Sequence, residues 1–474
     1  MADSRPNVVL VLTDQERYDY TAPDGPPVET PALDRLSREG MRFERAYTPT
    51  SICSSARASL LTGLYPHNHG MVNNTHEADA VQPNLPTDLP TFGTALADAG
   101  YRTTYVGKWH VGRDRTPEDF GFSYLGGSDE HHDDIDEAFG EYRDDLDVDA
   151  AGADPTAPVR TADGSLVAAV DPVPVEATRP YFLAERTVEA LRRAAEADGP
   201  FLHRTDFLGP HHPYVVPEPY ASMYDPADVD LPDSYAETFD GKPQVHENYV
   251  DYRGVGGFDR ETWAEVIARN RGFMSLIDDQ IGRILDALDE LGLADDTVVV
   301  HASDHGDFLG GHRQFNKGPL MYEDTYRVPL QVRWPGVVDP GSVADAPVRL
   351  HDLMPTFLDV ADVAVPDWLD ARSLRPLLAG DQPDDWPAAV AAEYHGDEFG
   401  LYTQRMVRVG DHKYVYNTPD VDELYDLGED PAELRNLIDH PDYADVRAEL
   451  RDRLVDWMAE TDDPLEQWAP QALG

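Results

Sequence analysis

Apolar runs of similar length, each closed by polar or glycine-containing sequence, recur along the chain: NVVLVLT (7–13), TTYVGKW (103–109), FLHRTDF (201–207), TVVVHAS (297–303) and VPLQVRW (328–334). Runs this short, and this rich in β-branched residues, predict strands buried in an α/β sheet. Between them the apolar positions change period. Across 261–291, Ile277, Ile281, Ile284, Leu288 and Leu291 recur at spacings of four and three, the stripe of an amphipathic helix. Strands alternating with helices predict an α/β fold, a doubly wound sheet sandwiched by helices.

Two stretches depart from this rhythm. Residues 128–176, including SDEHHDDIDEAFGEYRDDLDVDAAGADPTAP, form a polar, acidic insertion. His131 and His132 there could bind metal, but a solvated loop is the expected reading. After about residue 380 the segments AAEYHG, RMVRVGDHKYVYN and DELYDL predict strands of a small sheet, and YADVRAELRDRLVDWMAE a closing helix. The expected organisation is a main domain over 1–380 and a smaller C-terminal α+β subdomain over 381–474, an antiparallel sheet plus a helix.

Charge narrows the function classes. Ninety Asp and Glu stand against 38 Lys and Arg, a formal net charge of −52 over 474 residues, yet 41% of residues are hydrophobic, as in a globular protein. That charge repels nucleic acid and anionic membrane surfaces, so neither is an expected partner. Only four lysines occur, Lys108, Lys242, Lys317 and Lys413, and the acidic residues are spread along the whole chain. This composition predicts a halophilic protein, because a Debye length of about 3 Å at molar salt screens self-repulsion. No run approaches the roughly 20 apolar residues of a membrane span. MADSRPNVVLVLTD passes from polar residues directly into a strand, without the pattern of a signal peptide, so the expected location is cytoplasmic.

In open α/β sheets the ligand site lies beyond the carboxyl ends of the strands, and there the polar residues gather. The first strand runs into Asp14-Gln15, and the strand at 297–303 into Asp304-His305. A single Asp after a strand is usually a helix N-cap, but two such pairs offer carboxylate, amide and imidazole ligands for Ca²⁺, Mg²⁺ or Mn²⁺. Lys108 and His110 in GKWHVG are expected on one face of extended chain. His211 and His212 follow the strand at 201–207, and Lys317 lies downstream of Asp304. A cation, two lysines and several histidines suit a tetrahedral oxyanion.

The only cysteine, Cys53, stands in SICSSARASLLTG. A lone cysteine is most often a small buried hydrophobe. A helix beginning near Cys53, however, would aim free N–H groups at it, with Arg57 one turn later on the same face. That setting suits a thiolate or an oxygenated derivative.

With these residues in view the sequence resembles the type I sulfatases of the alkaline phosphatase superfamily. The family signature, Cys, any residue, Pro or Ala, any residue, Arg, then a spacer and Leu/Met-Thr-Gly, stands here as CSSARASLLTG. PNVVLVLTDQ, YVGKWHVG, PHHPY, SDHGDFLGGH, YRVPLQVRWPG and ELYDLGEDPAELRNL follow the family order. The resemblance implies an alkaline phosphatase-like mixed sheet and hydrolysis of a small-molecule or glycan sulfate ester to alcohol and sulfate, as in an arylsulfatase-like enzyme.

It further implies that Cys53 is oxidised to formylglycine by a formylglycine-generating enzyme and that the hydrated aldehyde is the nucleophile. Arg57 would hold that residue, and Asp14, Gln15, Asp304 and His305, with position 53, would surround one divalent cation, expected to be Ca²⁺, with Mn²⁺ and Mg²⁺ as alternatives. Lys108, His110, His211 and Lys317 would contact the sulfate; His211 or Lys317 would protonate the leaving alcohol, and His110 or another base would release sulfate.

Ser55 stands where the signature prefers Pro or Ala, Gln15 replaces the more frequent second Asp, and His305 the common Asn. The Asp-Gln and Asp-His pairing also occurs in choline-sulfatase-like and phosphonate monoester hydrolase-like members, so a phosphodiesterase or phosphonate monoester hydrolase is the alternative. A catalytically silent homologue with unconverted Cys53 is the third reading. His67 and His69 are expected to be structural, His312 could reach the substrate, and Arg17 and Arg113 are candidate contacts to an acidic sugar.

Overall fold

Eight strands form the central sheet of the computed structural model, which describes residues 5–126, 133–146, 154–396, 402–417 and 419–469. In chain order they are β1 (Asn7–Asp14), β2 (Met41–Phe43), β3 (Arg102–Gly107), β4 (Ser123–Tyr124), β5 (Phe201–Pro210), β6 (Thr297–Ser303), β7 (Leu330–Arg333) and β8 (Ser342–Ala344). Across the sheet they run β8-β2-β7-β6-β1-β5-β3-β4. Only β7 opposes its neighbours, so the sheet is mixed.

The continuous apolar run of β1 is explained by burial on both faces. Val8, Leu10 and Leu12 enter one core with Val300, Leu60 and Phe357, while Val9 and Val11 enter the other with Phe182, Ile277 and Ile284. The second core is closed by the predicted long helix, Arg260–Glu290, whose first turn is capped by Asp259 accepting from Thr262 N at 2.9 Å.

One expected strand is shorter than its apolar pattern. β3 stops at Gly107, two residues before the end of TTYVGKW, because the backbone there has φ +103° and a Cβ would lie 1.9 Å from the carbonyl oxygen of Asp206. Lys108 and His110 therefore do not share a face of extended chain, and His110 itself has φ +58°.

The acidic insertion also differs from the expected solvated loop. Its described part contains a helix, Asp133–Asp145, and strands Thr156–Arg160 and Leu166–Asp171, the latter paired with Tyr214–Pro217. Phe139 and Val167 are buried, so a few apolar residues within the acidic run anchor it to the second core. His131 and His132 lie outside the described residues.

The C-terminal segments form a four-stranded antiparallel sheet, β9 (Ala389–Tyr394), β10 (Gln404–Val409), β11 (His412–Tyr416) and β12 (Glu423–Asp426), covered by the helix Ala444–Glu460. Buried polar contacts tie this sheet to the loops of the main domain. Lys413 Nζ donates to Met321 O at 2.9 Å, and Lys242 Nζ, paired with Glu237 at 2.5 Å, donates to Glu433 O at 2.5 Å. Among the described residues no helix is long and apolar enough to cross a membrane.

Candidate active site

Register brings the two polar pairs together. β1 and β6 are parallel neighbours with Thr13 opposite Ser303, so Asp14-Gln15 and Asp304-His305 leave the sheet side by side. Gln15 N donates to Asp304 Oδ1 at 3.2 Å, a turn made with φ +67° at Gln15. Above them begins helix α1 (Cys53–Thr62), with Cys53 as its first residue, 1% exposed. Cys53 Sγ lies 3.1 Å from His305 Nε2 and 3.9 Å from Asp14 Oδ1. Ligand atoms of Asp14, Cys53, Asp304 and His305 all fall within 4.8 Å of one another.

The donor set fits a divalent cation. His305 Nδ1 donates to Gly306 O at 2.9 Å, which leaves Nε2 as a lone pair facing the cluster. Burial holds this imidazole neutral, pushing its pKa down to about 4. Burial opposes ionisation of Asp14, but Lys108, His211, Arg57 and His305 outweigh it and hold the carboxyl well below the usual range. Gln15 donates through Nε2 to Asp307 Oδ2 at 2.8 Å, so its amide oxygen is the atom turned to Lys317, at 3.3 Å.

Cations occupy the outer side of the same carboxylates. Lys108 Nζ contacts Asp14 Oδ2. Arg57 Nε donates to Asp304 Oδ2 at 2.7 Å and Nη1 to Asp206 Oδ2 at 2.7 Å. Arg57 Nη2, buried and 3.5 Å from Asp14 Oδ2, makes no hydrogen bond of its own. Such a donor suits an oxygen placed at the cluster.

The thiol is not poised as a thiolate, despite the helix N-terminus. Burial and then Asp14 push the Cys53 pKa up to about 11, more than Lys108 and Lys317 offset. The remaining histidines divide. His211 Nε2 accepts from Lys317 Nζ at 3.2 Å. His110 pairs with His76, Nε2 to Nδ1 at 3.0 Å, rings stacked. His312 is bonded to Glu237 at 2.8 Å and stacked on Tyr322, within the contacts that hold Lys242. His67 and His69 are held in protein contacts, as their position suggests: His67 between Glu393 and Thr461 O, His69 on Ser59 Oγ at 3.0 Å. Arg17 is taken by Asp19 and Asp324, and Arg113 by the carbonyls of Thr75 and Glu77.

The sulfatase family profile matches residues 6–363, and that of the N-sulphoglucosamine sulphohydrolase C-terminal region matches 310–460. The chain belongs to the sulfatase family. It is 31% identical to the uncharacterized sulfatase YidJ of Escherichia coli (strain K12), over 98% of this chain and 90% of that protein. It is also 31% identical to an arylsulfatase of Clostridium perfringens, over 95% and 94%. Among solved structures, a phosphonate monoester hydrolase from Silicibacter pomeroyi superposes with a TM-score of 0.82 at 26% identity, covering 97% of both chains.

Within this sulfatase the site depends on residues that the motifs did not single out. Asp206 accepts from Arg57, Arg204 and Tyr105, and Asp307 accepts from Gln15 and Tyr214. Asp206 lies within β5 and Asp307 four residues past β6, so neither shows the strand-end signal that drew attention to Asp14 and Asp304. His76, the partner of His110, lies in a loop without a pattern to mark it.

Proposed function

We propose that this sulfatase cleaves an organic sulfate ester to alcohol and inorganic sulfate at the Asp14–Cys53–Asp304–His305 cluster, with position 53 converted to formylglycine and one divalent cation, Ca²⁺, beside it. The observation that carries the reading is the meeting of the β1 and β6 ends around Cys53, with His305 Nε2 3.1 Å from Sγ. When bound, the cation would supply Lewis-acid stabilisation of the sulfuryl oxygens, and residue 53, once converted and hydrated, would supply the attacking hydroxyl.

The chain's own residues do the rest. Asp14, Gln15, Asp304 and His305 would hold the cation, and Arg57 fixes Asp304 while its spare Nη2 would bind the hydroxyl of residue 53. Lys108 and Lys317 bind the sulfuryl oxygens as charge builds on them. Lys317 keeps a proton at Nζ for the leaving alcohol, and His110 takes the remaining hydroxyl proton that releases sulfate. A cytoplasmic, halophilic enzyme matured by a formylglycine-generating enzyme completes the reading, supported by the composition and by Cys53 standing in the family signature.

Intact-mass measurement on protein from a halophilic host tests this first. Conversion replaces H₂S by O at residue 53; an unmodified thiol without turnover sinks the enzyme reading and leaves a silent homologue. The second reading, a phosphodiester or phosphonate substrate, is favoured by the likeness to the phosphonate monoester hydrolase. An aryl sulfate is expected to show higher kcat/KM than a matched aryl phosphodiester, whose second substituent would press on Lys108 or His110. Preference for the diester reverses the assignment.

A further inference from the structure

Arg271, on the helix Arg260–Glu290, is only 4% exposed, yet it makes no hydrogen bond or ion pair with any described residue, and its Nε is enclosed without an acceptor. Other buried arginines are paired. Arg17, Arg57 and Arg204 each hold a carboxylate. A buried guanidinium cannot shed its charge, so the absence of an anionic partner is costly.

Arg271 lines a cavity of about 370 Å³, walled also by Pro26, Pro27, Leu231, Ile267 and Leu309. No residue of the Asp14–Cys53–Asp304–His305 cluster belongs to it. Charge in the cavity is divided by depth. Asp24, Asp228, Asp230 and Asp233 line it as well, but all four are exposed and so form its mouth, and Asp230 also faces Arg260 at 3.7 Å. A fifth carboxylate, Asp19, is taken by Arg17.

We propose that this cavity binds a small zwitterion, its carboxylate on Arg271 and its ammonium group among the aspartates of the mouth. The planar guanidinium matches a carboxylate through paired, parallel hydrogen bonds. The mouth decides the rest. A plain anion meets the four exposed carboxylates on entry, in a chain of net charge −52, whereas a ligand carrying its own cation is attracted by the same residues. Apolar walls suit the methylene or methyl groups around the two charges. Size agrees, since a cavity of about 150 Å³ holds one benzene ring, and this one is larger. A betaine or a short amino acid fits that description. The competing explanation is a mouth aspartate that turns inward to pair with Arg271, and it predicts no ligand.

Calorimetry on the full chain in about 2 M KCl, where long-range repulsion is screened, tests this with glycine betaine, 4-aminobutyrate and acetate as probes. The two zwitterions are expected to bind with a Kd of about 1 mM or below, at least about tenfold tighter than acetate. Arg271→Met is expected to weaken them by about thirtyfold, the scale of a charge-assisted contact. Asp24→Asn/Asp233→Asn changes only exposed residues and guards against a folding defect: zwitterion affinity is expected to fall by about threefold while acetate affinity rises. Opposite movements of two ligands cannot come from lost structure. Absence of zwitterion binding, binding unchanged in Arg271→Met, acetate bound as tightly as the zwitterions, or parallel losses of both ligands in the aspartate variant overturns the proposal. No measurement uses turnover, so the result is independent of the sulfatase reading.

Discussion

Lys317 Nζ donates to His211 Nε2 at 3.2 Å, while His211 Nδ1 lies 2.6 Å from the carbonyl oxygen of His212. A carbonyl only accepts, so Nδ1 carries the proton and Nε2 is bare. Burial first, and Lys317 second, keep this imidazole neutral. Lys317 is therefore the donor of this pair, and the proposed mechanism assigns it, with His211 as its acceptor, the proton for the leaving alcohol.

The leaving group then sets the effect of removing that proton. Lys317→Ala is expected to slow hydrolysis of an alkyl sulfate by about a thousandfold and that of 4-nitrophenyl sulfate by about tenfold, since general acids contribute about 10²–10⁴ where the leaving oxygen is basic. A plot of log kcat/KM against leaving-group pKa should steepen in the variant. Equal losses for both esters would place the acid elsewhere.

The cation site separates charge from mere ligation. Asp14→Ala is expected to remove about a thousandfold of activity and the bound metal with it, whereas Gln15→Ala costs about tenfold, because only the carboxylate supplies charge. Elemental analysis of protein purified without chelator checks the metal content and identifies the ion. Equal losses would argue against a shared cation at these two residues.

His67, in the short helix Pro66–His69 of the main domain, is bonded to the C-terminal sheet and to the end of its helix. Its Nδ1 lies 2.6 Å from Glu393 Oε2 and 4.0 Å from Asp463, and its Nε2 2.9 Å from Thr461 O, with His395 and Arg405 beside Glu393. Burial opposes protonation, but Glu393 prevails and the pKa is raised to about 9. Stability from a raised histidine is fully present below the unfolded value of about 6.5 and is lost as pH rises through about 9, here up to about 3 kcal/mol. Asp278, which burial pushes up to about 7, gives its own decline at lower pH. Tm at fixed molar salt should thus fall between about pH 7.5 and 9.5, and His67→Gln should flatten that fall while lowering Tm at neutral pH. Parallel curves for the two proteins would remove His67 from this role.

All four lysines are buried, with 4, 8, 6 and 0% exposure at Lys108, Lys242, Lys317 and Lys413. The surface of the described residues thus carries arginine but no lysine. With a net charge of −52, raising KCl from about 0.1 to 2 M should raise the unfolding midpoint. Amine acylation read by intact mass gives a second measure: lysines shielded at high salt should become reactive in dilute buffer. A flat or falling midpoint across that range would refute the halophilic reading.

The strand and helix pattern, the polar strand ends and the cysteine signature were legible in the sequence because each is local. A run such as NVVLVLT can bury both faces only inside a layered sheet, and Asp14, Asp304 and Cys53 stand at element ends that periodicity locates. Register, by contrast, is a property of pairs. Only the pairing of Thr13 with Ser303 sets His305 against Cys53, and only the approach of Gly107 to Asp206 ends β3 early and turns Lys108 toward Asp14. Composition marked 128–176 as solvated acid, because a few buried side chains such as Phe139 and Val167 do not alter the average. Tertiary structure decided that the described part of this stretch packs against the core and walls a cavity, since apolar burial acts through the residues that meet and not through their mean.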